Sequence, residues 1–177
     1  MFSSKGWPLY VRVAMVALAW PTITIAADSA VVQAEKLLKA GLELSRNTHY
    51  LEALDLLDEA AMLLQSVGIT ETPIMGDVLY ALAETKIKGR LHQRFPAGYV
   101  KAALKEIQAS NRIRERLSDV LPQTLARGYY LEGFIQKRFF RRFPEASACF
   151  VKAVQVDPHC TAAKRELSEL IEPEESK

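Results

Sequence analysis

Phe143-Pro144-Glu145-Ala146-Ser147-Ala148-Cys149-Phe150-Val151-Lys152-Ala153-Val154-Gln155-Val156-Asp157-Pro158 reads as one helix with its own stop. Ala146, Phe150 and Ala153 fall at four and three residue steps, which is one face of a helix. The ring of Pro158 cannot continue that helix. The same residue types recur 93 residues earlier, at Tyr50, Ala53, Leu57 and Ala60. The helix before each copy carries a glycine. Gly41 and Gly133 lie 92 residues apart, so the turn of the last copy has one extra residue. Small residues mark where two antiparallel helices approach most closely: Gly41 with Ala53, and Gly133 with Ala146. Tyr50 and Phe143 are expected to fill the space at the turns.

Working outward, the period stays helical almost throughout the chain. Val31, Ala34, Leu37-Leu38 and Gly41-Leu42 give the first apolar stripe, and Tyr50 to Leu64 the second. Gly68 closes that second helix, and Thr72-Pro73 opens a third that is expected to run to about Lys88. The pattern predicts a turn over Gly89 to Gly98, a long fourth helix to about Ser118, and a fifth from Gln123 to Phe140. A sixth ends at Val156, and a last amphipathic helix spans Thr161 to Ile171. No alternating run marks a strand. The expected class is all-α: a short α-solenoid of about three antiparallel helical hairpins plus a C-terminal capping helix over residues 27–171. A plain helical bundle with the same core spacing is the alternative.

The small-residue first helix, the Ala-x3-aromatic second helix and the terminal Pro resemble the tetratricopeptide repeat (TPR), whose period is about 34 residues. The resemblance is closest over 34–67 and 127–171 and looser over 74–118. The family's Trp is absent here, and Gln65 stands where the first copy would carry Pro. The resemblance implies a stack of hairpins with a hollow face made by the first helix of each pair, used to bind proteins or peptides. The family's Lys and Asn clamp is not reproduced. In the 93-residue register its positions hold Leu38, Leu42 and Ser45, then Leu131, Ile135 and Arg138. Leu38, Leu42, Leu131, Ile135 and Arg138 are therefore the candidate protein-binding residues, with simple hairpin core as the other reading of the apolar four.

The chain opens on an address. Lys5 and Arg12 precede an apolar run from Val13 to Trp20, and small residues close it at Ala26-Ala27. That is the order of a secretory signal peptide. The uncharged stretch Val13 to Ala27 has 15 residues, short of the ~20 a membrane-spanning helix needs. Residues 1–26 are expected to be removed, leaving a periplasmic or secreted protein; an N-terminal membrane anchor is the alternative. Without them the charges balance but are segregated. Asp28 to Asp77 holds nine acids and three bases, and Val78 to Pro158 holds fifteen bases and seven acids. Residues 172–177 form an acidic tail expected to be disordered.

Two basic clusters stand in the middle: Lys86, Lys88, Arg90 and Arg94 around one turn, Lys137, Arg141 and Arg142 around the next. Gln93-Arg94-Phe95-Pro96 and Arg141-Arg142-Phe143-Pro144 are near-copies, so both turns are expected at equivalent ends of their hairpins. These seven cations are the candidate anion-binding residues for an envelope surface or polymer; export argues against nucleic acid as a partner. No metal-ligand spacing, phosphate loop or nucleophile elbow occurs, and the expectation is a non-enzyme with no cofactor. Cys149 and Cys160 are expected to remain thiols.

Overall fold

The computed structural model describes residues 9–171. Seven α-helices follow one another: α1 Leu9–Arg46, α2 Tyr50–Ser66, α3 Pro73–Leu91, α4 Gly98–Arg116, α5 Pro122–Ile135, α6 Phe143–Val156 and α7 Thr161–Ile171. A π-helical turn, Gln136–Phe140, closes α5. There is no strand among the described residues. Residues 1–8 of the expected signal and the tail 172–177 lie outside them. The backbone of α1 is continuous from 9 to 46, so no break marks the 26/27 boundary.

Each helix packs most closely on its sequence neighbour, most tightly within the pairs α1/α2, α3/α4 and α5/α6, with α7 against α6. The first helices also touch one another, α1 on α3 and α3 on α5. This is a helical-repeat solenoid of three hairpins and a cap.

The glycine notches sit where the spacing placed them. A Cβ on Gly41 would lie 2.8 Å from Leu57 Cγ and 3.2 Å from the Ala53 carbonyl oxygen. One on Gly133 would lie 2.6 Å from the Phe150 ring and 3.1 Å from the Ala146 carbonyl oxygen. The two copies thus share one contact set, with the glycines 92 and their partners 93 residues apart. The second helix of the middle hairpin repeats the pattern as Ala103, Ile107 and Ser110. All nine residues, Ala53, Leu57, Ala60, Ala103, Ile107, Ser110, Ala146, Phe150 and Ala153, are fully buried. Where the outer copies have alanine, Ser110 satisfies its hydroxyl on the Gly76 carbonyl at 2.7 Å. Pro158 lies just past the end of α6, as expected of a stop.

Three expectations need correction. The middle turn is His92–Ala97 rather than Gly89 to Gly98, because α3 continues to Leu91. The fifth helix does not stay α-helical to Phe140. Its last turn widens to the π form, with the Arg141 amide donating to the Gln136 carbonyl. That widening absorbs the extra residue between Gly133 and the turn. The third concerns Phe143. Tyr50 is buried, its Oη 2.7 Å from His92 Nδ1 and its ring edge-on to Phe95. Phe143 is 49% exposed and does not fill its turn as Tyr50 does.

Candidate functional site

The first helices α1, α3 and α5 enclose a groove of about 370 Å³. Leu38 and Leu42 of α1 line it together with Ser45 and Arg46. From α3 come Asp77, Tyr80, Ala81, Glu84 and Lys88, and from α5 Thr124 and Arg127. Arg114 enters from the end of α4. The α3 residues recur at three and four residue steps, so one face of that helix is turned to the hollow.

Polar groups in the groove are held by one another. Arg114, almost wholly buried, donates from Nη2 to Asp77 Oδ1 at 2.7 Å. Its guanidinium lies 5.0 Å from the Tyr80 ring centroid, and that of Arg127 lies 5.7 Å from it. Tyr80 is thereby flanked by two cations, an arrangement that favours the electron-rich ring face. Burial, reinforced by Glu84, pushes the Tyr80 phenol above its ordinary value; Arg127 and Arg114 oppose the shift. Lys88 pairs with Glu84 at 3.2 Å. Among the described residues Arg46 and Arg127 have no carboxylate within ion-pair distance. The hollow therefore offers an apolar floor on α1, an aromatic wall flanked by Arg114 and Arg127, and two cations, Arg46 and Arg127, without a carboxylate partner among the described residues.

Of the five candidate contacts, Leu38 and Leu42 lie on this groove. Leu131 and Ile135 do not. Both are buried in the core between α3, α4 and α5 with Ala83, Ile87 and Ile107, because α5 turns that face inward against the middle hairpin. Arg138 lies at the far end of α5, beside a second, wider hollow that it shares with Leu91, Phe134, Lys137, Arg141, Phe143, Glu166 and Glu169. Tyr80, Arg114 and Arg127 were missed by residue type. The signal that could have found them is the polar face of α3, Asp77-x2-Tyr80-x3-Glu84-x3-Lys88, in register with Leu38 and Leu42.

The seven basic candidates divide. Lys86 is buried and bonded to Glu106, so it is no free cation. Burial pushes the Glu106 carboxyl up, and Lys86 pulls it back. Lys137 is held by Glu166 at 2.7 Å and Glu169 at 2.9 Å of α7. Lys88 belongs to the groove. Arg90 is half-buried and donates to the Phe95 carbonyl at 3.3 Å. Arg94, Arg141 and Arg142 are exposed at the turns.

Cys149 and Cys160 are unpaired, and burial pushes the Cys149 thiol up to about 12, so it stays a weak nucleophile. Among the described residues no group of three His, Cys, Asp or Glu side chains is gathered as a metal site requires. None of their helices is long and apolar enough to cross a membrane. Comparison with protein-family models, with curated proteins and with solved structures gives no match.

Proposed function

We propose that this chain is an exported helical-repeat module, TPR-like in its pattern, that binds a protein or peptide segment within a bacterial cell envelope. The observation that carries the reading is the groove between α1, α3 and α5. It combines an apolar floor with charged walls, the composition that recognises a side-chain-bearing segment. The reading is of a binder and not a catalyst. In the groove Asp77 is bonded to Arg114 and Glu84 to Lys88, so these acids and bases are committed to one another.

Export rests on the basic, apolar, small-residue order of the first thirty residues. The lengths agree with it. At 1.5 Å per residue α1 is about 57 Å long and α2 about 26 Å, so α2 covers only the last part of α1, where Ala30 and Ala34 are already buried. Removal of residues 1–26 leaves that covered part intact. N-terminal sequencing of the mature protein is expected to begin at Ala27 or Asp28.

The groove is tested by placing a photo-reactive residue at Leu42, and separately at Met62 on the outer face of α2. A discrete protein cross-link from position 42 and none from position 62 supports the reading. Identical cross-links from both positions, or none from either, defeat it.

A further inference from the structure

We infer that the end of the molecule carrying the three hairpin turns docks onto a membrane surface rich in anionic phospholipid headgroups. This surface is separate from the groove between the first helices.

The three turns share one end. Tyr50, after the first turn, reaches His92 in the second at 2.7 Å and meets the Phe95 ring 6.2 Å away. Leu91, at the second turn, faces the same hollow as Arg138, Arg141 and Phe143 at the third. Lys137 at this end is held by Glu166 and Glu169, and the Arg142 guanidinium lies 5.4 Å from the Phe140 ring centroid. But four arginines, Arg94, Arg138, Arg141 and Arg142, are exposed, and among the described residues none has a carboxylate within ion-pair distance. Apolar side chains stand beside them: Leu51 is 63% exposed, Leu91 45% and Phe143 49%. Phe143 is the odd one among its counterparts, since Tyr50 and Phe95 are buried.

The opposite end differs in sign. Its turns carry Glu71, Asp119 and Asp157, and its cation Arg116 is bonded to Glu71. The asymmetry is therefore one-ended and does not follow from overall charge.

Cations at two of the turns, set among apolar side chains that protrude from all three, match a bilayer surface. Phosphates and an apolar layer there lie within one side chain's length of each other, and arginine keeps its head at the phosphates while its stem is buried. An acidic peptide seated between Arg138 and Arg141 would leave Leu51 and Arg94 unused. A single-stranded nucleic acid would be met by stacking aromatics, whereas Leu51 and Leu91 are aliphatic.

The test is co-sedimentation of the mature chain, beginning at Ala27 so that the apolar leader cannot itself bind, with vesicles of phosphatidylglycerol and phosphatidylethanolamine, and with phosphatidylcholine vesicles alone. Preferential binding to the first, falling steeply as salt is raised, is expected. Arg141→Glu with Arg142→Glu is expected to weaken it by ~30-fold or more, since each basic residue contributes severalfold at such a surface. Phe143→Ser is expected to weaken it with the melting midpoint unchanged, because that side chain is exposed. Arg127→Glu, in the groove, is expected to leave vesicle binding intact, which separates this surface from the peptide-binding reading. Equal binding to both vesicle types overturns the inference. So does equal binding by wild type and the double variant. Binding of soluble polyglutamate by wild type but not the double variant, without vesicle binding, also overturns it and assigns the turns to an acidic protein.

Discussion

Gln93-Arg94-Phe95-Pro96 and Arg141-Arg142-Phe143-Pro144 begin alike and end differently. Gln93 and Arg141 both adopt the left-handed conformation, with φ of 57° and 55°. In both turns the next amide reaches back to close the helix: Arg94 N–H to the Gly89 carbonyl at 2.8 Å, Arg142 N–H to the Gln136 carbonyl at 3.0 Å. These are related helix C-caps. The aromatic that follows is 3% exposed in one turn and 49% in the other. Phe95 lies over Gly89, where a Cβ would stand 2.3 Å from its ring, and stacks on Tyr99 at 4.6 Å. The last turn offers Gln136-Lys137 in place of that glycine. The tetrapeptide sets the turn; a residue four or five positions upstream decides whether its aromatic joins the core.

The sharpest way to break this comparison is to truncate both rings. Phe95→Ala is expected to cost about 3–5 kcal/mol, and Phe143→Ala no more than about 0.5 kcal/mol. Urea midpoints measure both. Equal losses would mean that Phe143 is packed and the two turns are not distinct.

A second contrast lies among the basic residues of the same cluster. Lys86 is bonded to Glu106 below the surface while Arg94 stands in water. Lys86→Met leaves a carboxylate largely buried without its cation. The expected loss is about 2 kcal/mol, discounted from the 3–5 kcal/mol of a fully buried pair because Glu106 keeps 18% of its side-chain exposure. Arg94→Met is expected to cost almost nothing. The pH dependence has a definite sign. Burial raises the Glu106 carboxyl in the folded state, so that state binds the proton more readily than the unfolded chain does. The deficit of Lys86→Met is therefore largest at neutral pH and shrinks as pH falls into the carboxylate range. A deficit that does not change with pH would locate the loss in packing.

The glycine itself can be tested. Gly89→Ala is expected to cost about 1–3 kcal/mol by forcing the Phe95 ring aside. Combined with Phe95→Ala it should cost less than the sum, because the ring it displaces is gone. Strict additivity would show that the two residues are not in contact.

The hairpins were legible in the sequence because their packing repeats. Gly41 and Gly133 recur at an offset of 92, Leu57 and Phe150 at 93, and in both copies the glycine lies against that larger side chain. The candidate site was legible by half. Leu38 and Leu42 border the groove, but Leu131 and Ile135, which a 93-residue offset pairs with them, are core. The 93-residue register holds for the second helices, but the Gly41 and Gly133 notches align α5 with α1 at 92, so the counterparts of Leu38 and Leu42 are Tyr130 and Phe134, and Leu131 and Ile135 fall one residue round the helix, on the face that α5 turns to α3 and α4. Charge was the least legible. Lys86 and Lys137 lie among Arg90, Arg94 and Arg141 in sequence, but their carboxylate partners come from α4 and α7, 20 and 29 residues or more away. Composition counts a cation and does not record what it is paired with.

The smallest expected effect tests the half of the comparison in which the turns agree. A left-handed conformation costs a non-glycine residue about 1–2 kcal/mol, and glycine adopts it without that strain. Part of the gain is lost because glycine loosens the unfolded chain, leaving about 0.5 kcal/mol. Gln93→Gly and Arg141→Gly should therefore stabilise the protein equally, although one precedes a buried ring and the other an exposed one. Thr48, at φ 66° in the first turn, is β-branched and more strained there, so Thr48→Gly should gain most. Urea midpoints at moderate salt, where the charge of Arg141 is screened, measure all three. A gain at Gln93 without one at Arg141 would mean that the π-helical turn, and not the shared tetrapeptide, sets the backbone of the last turn.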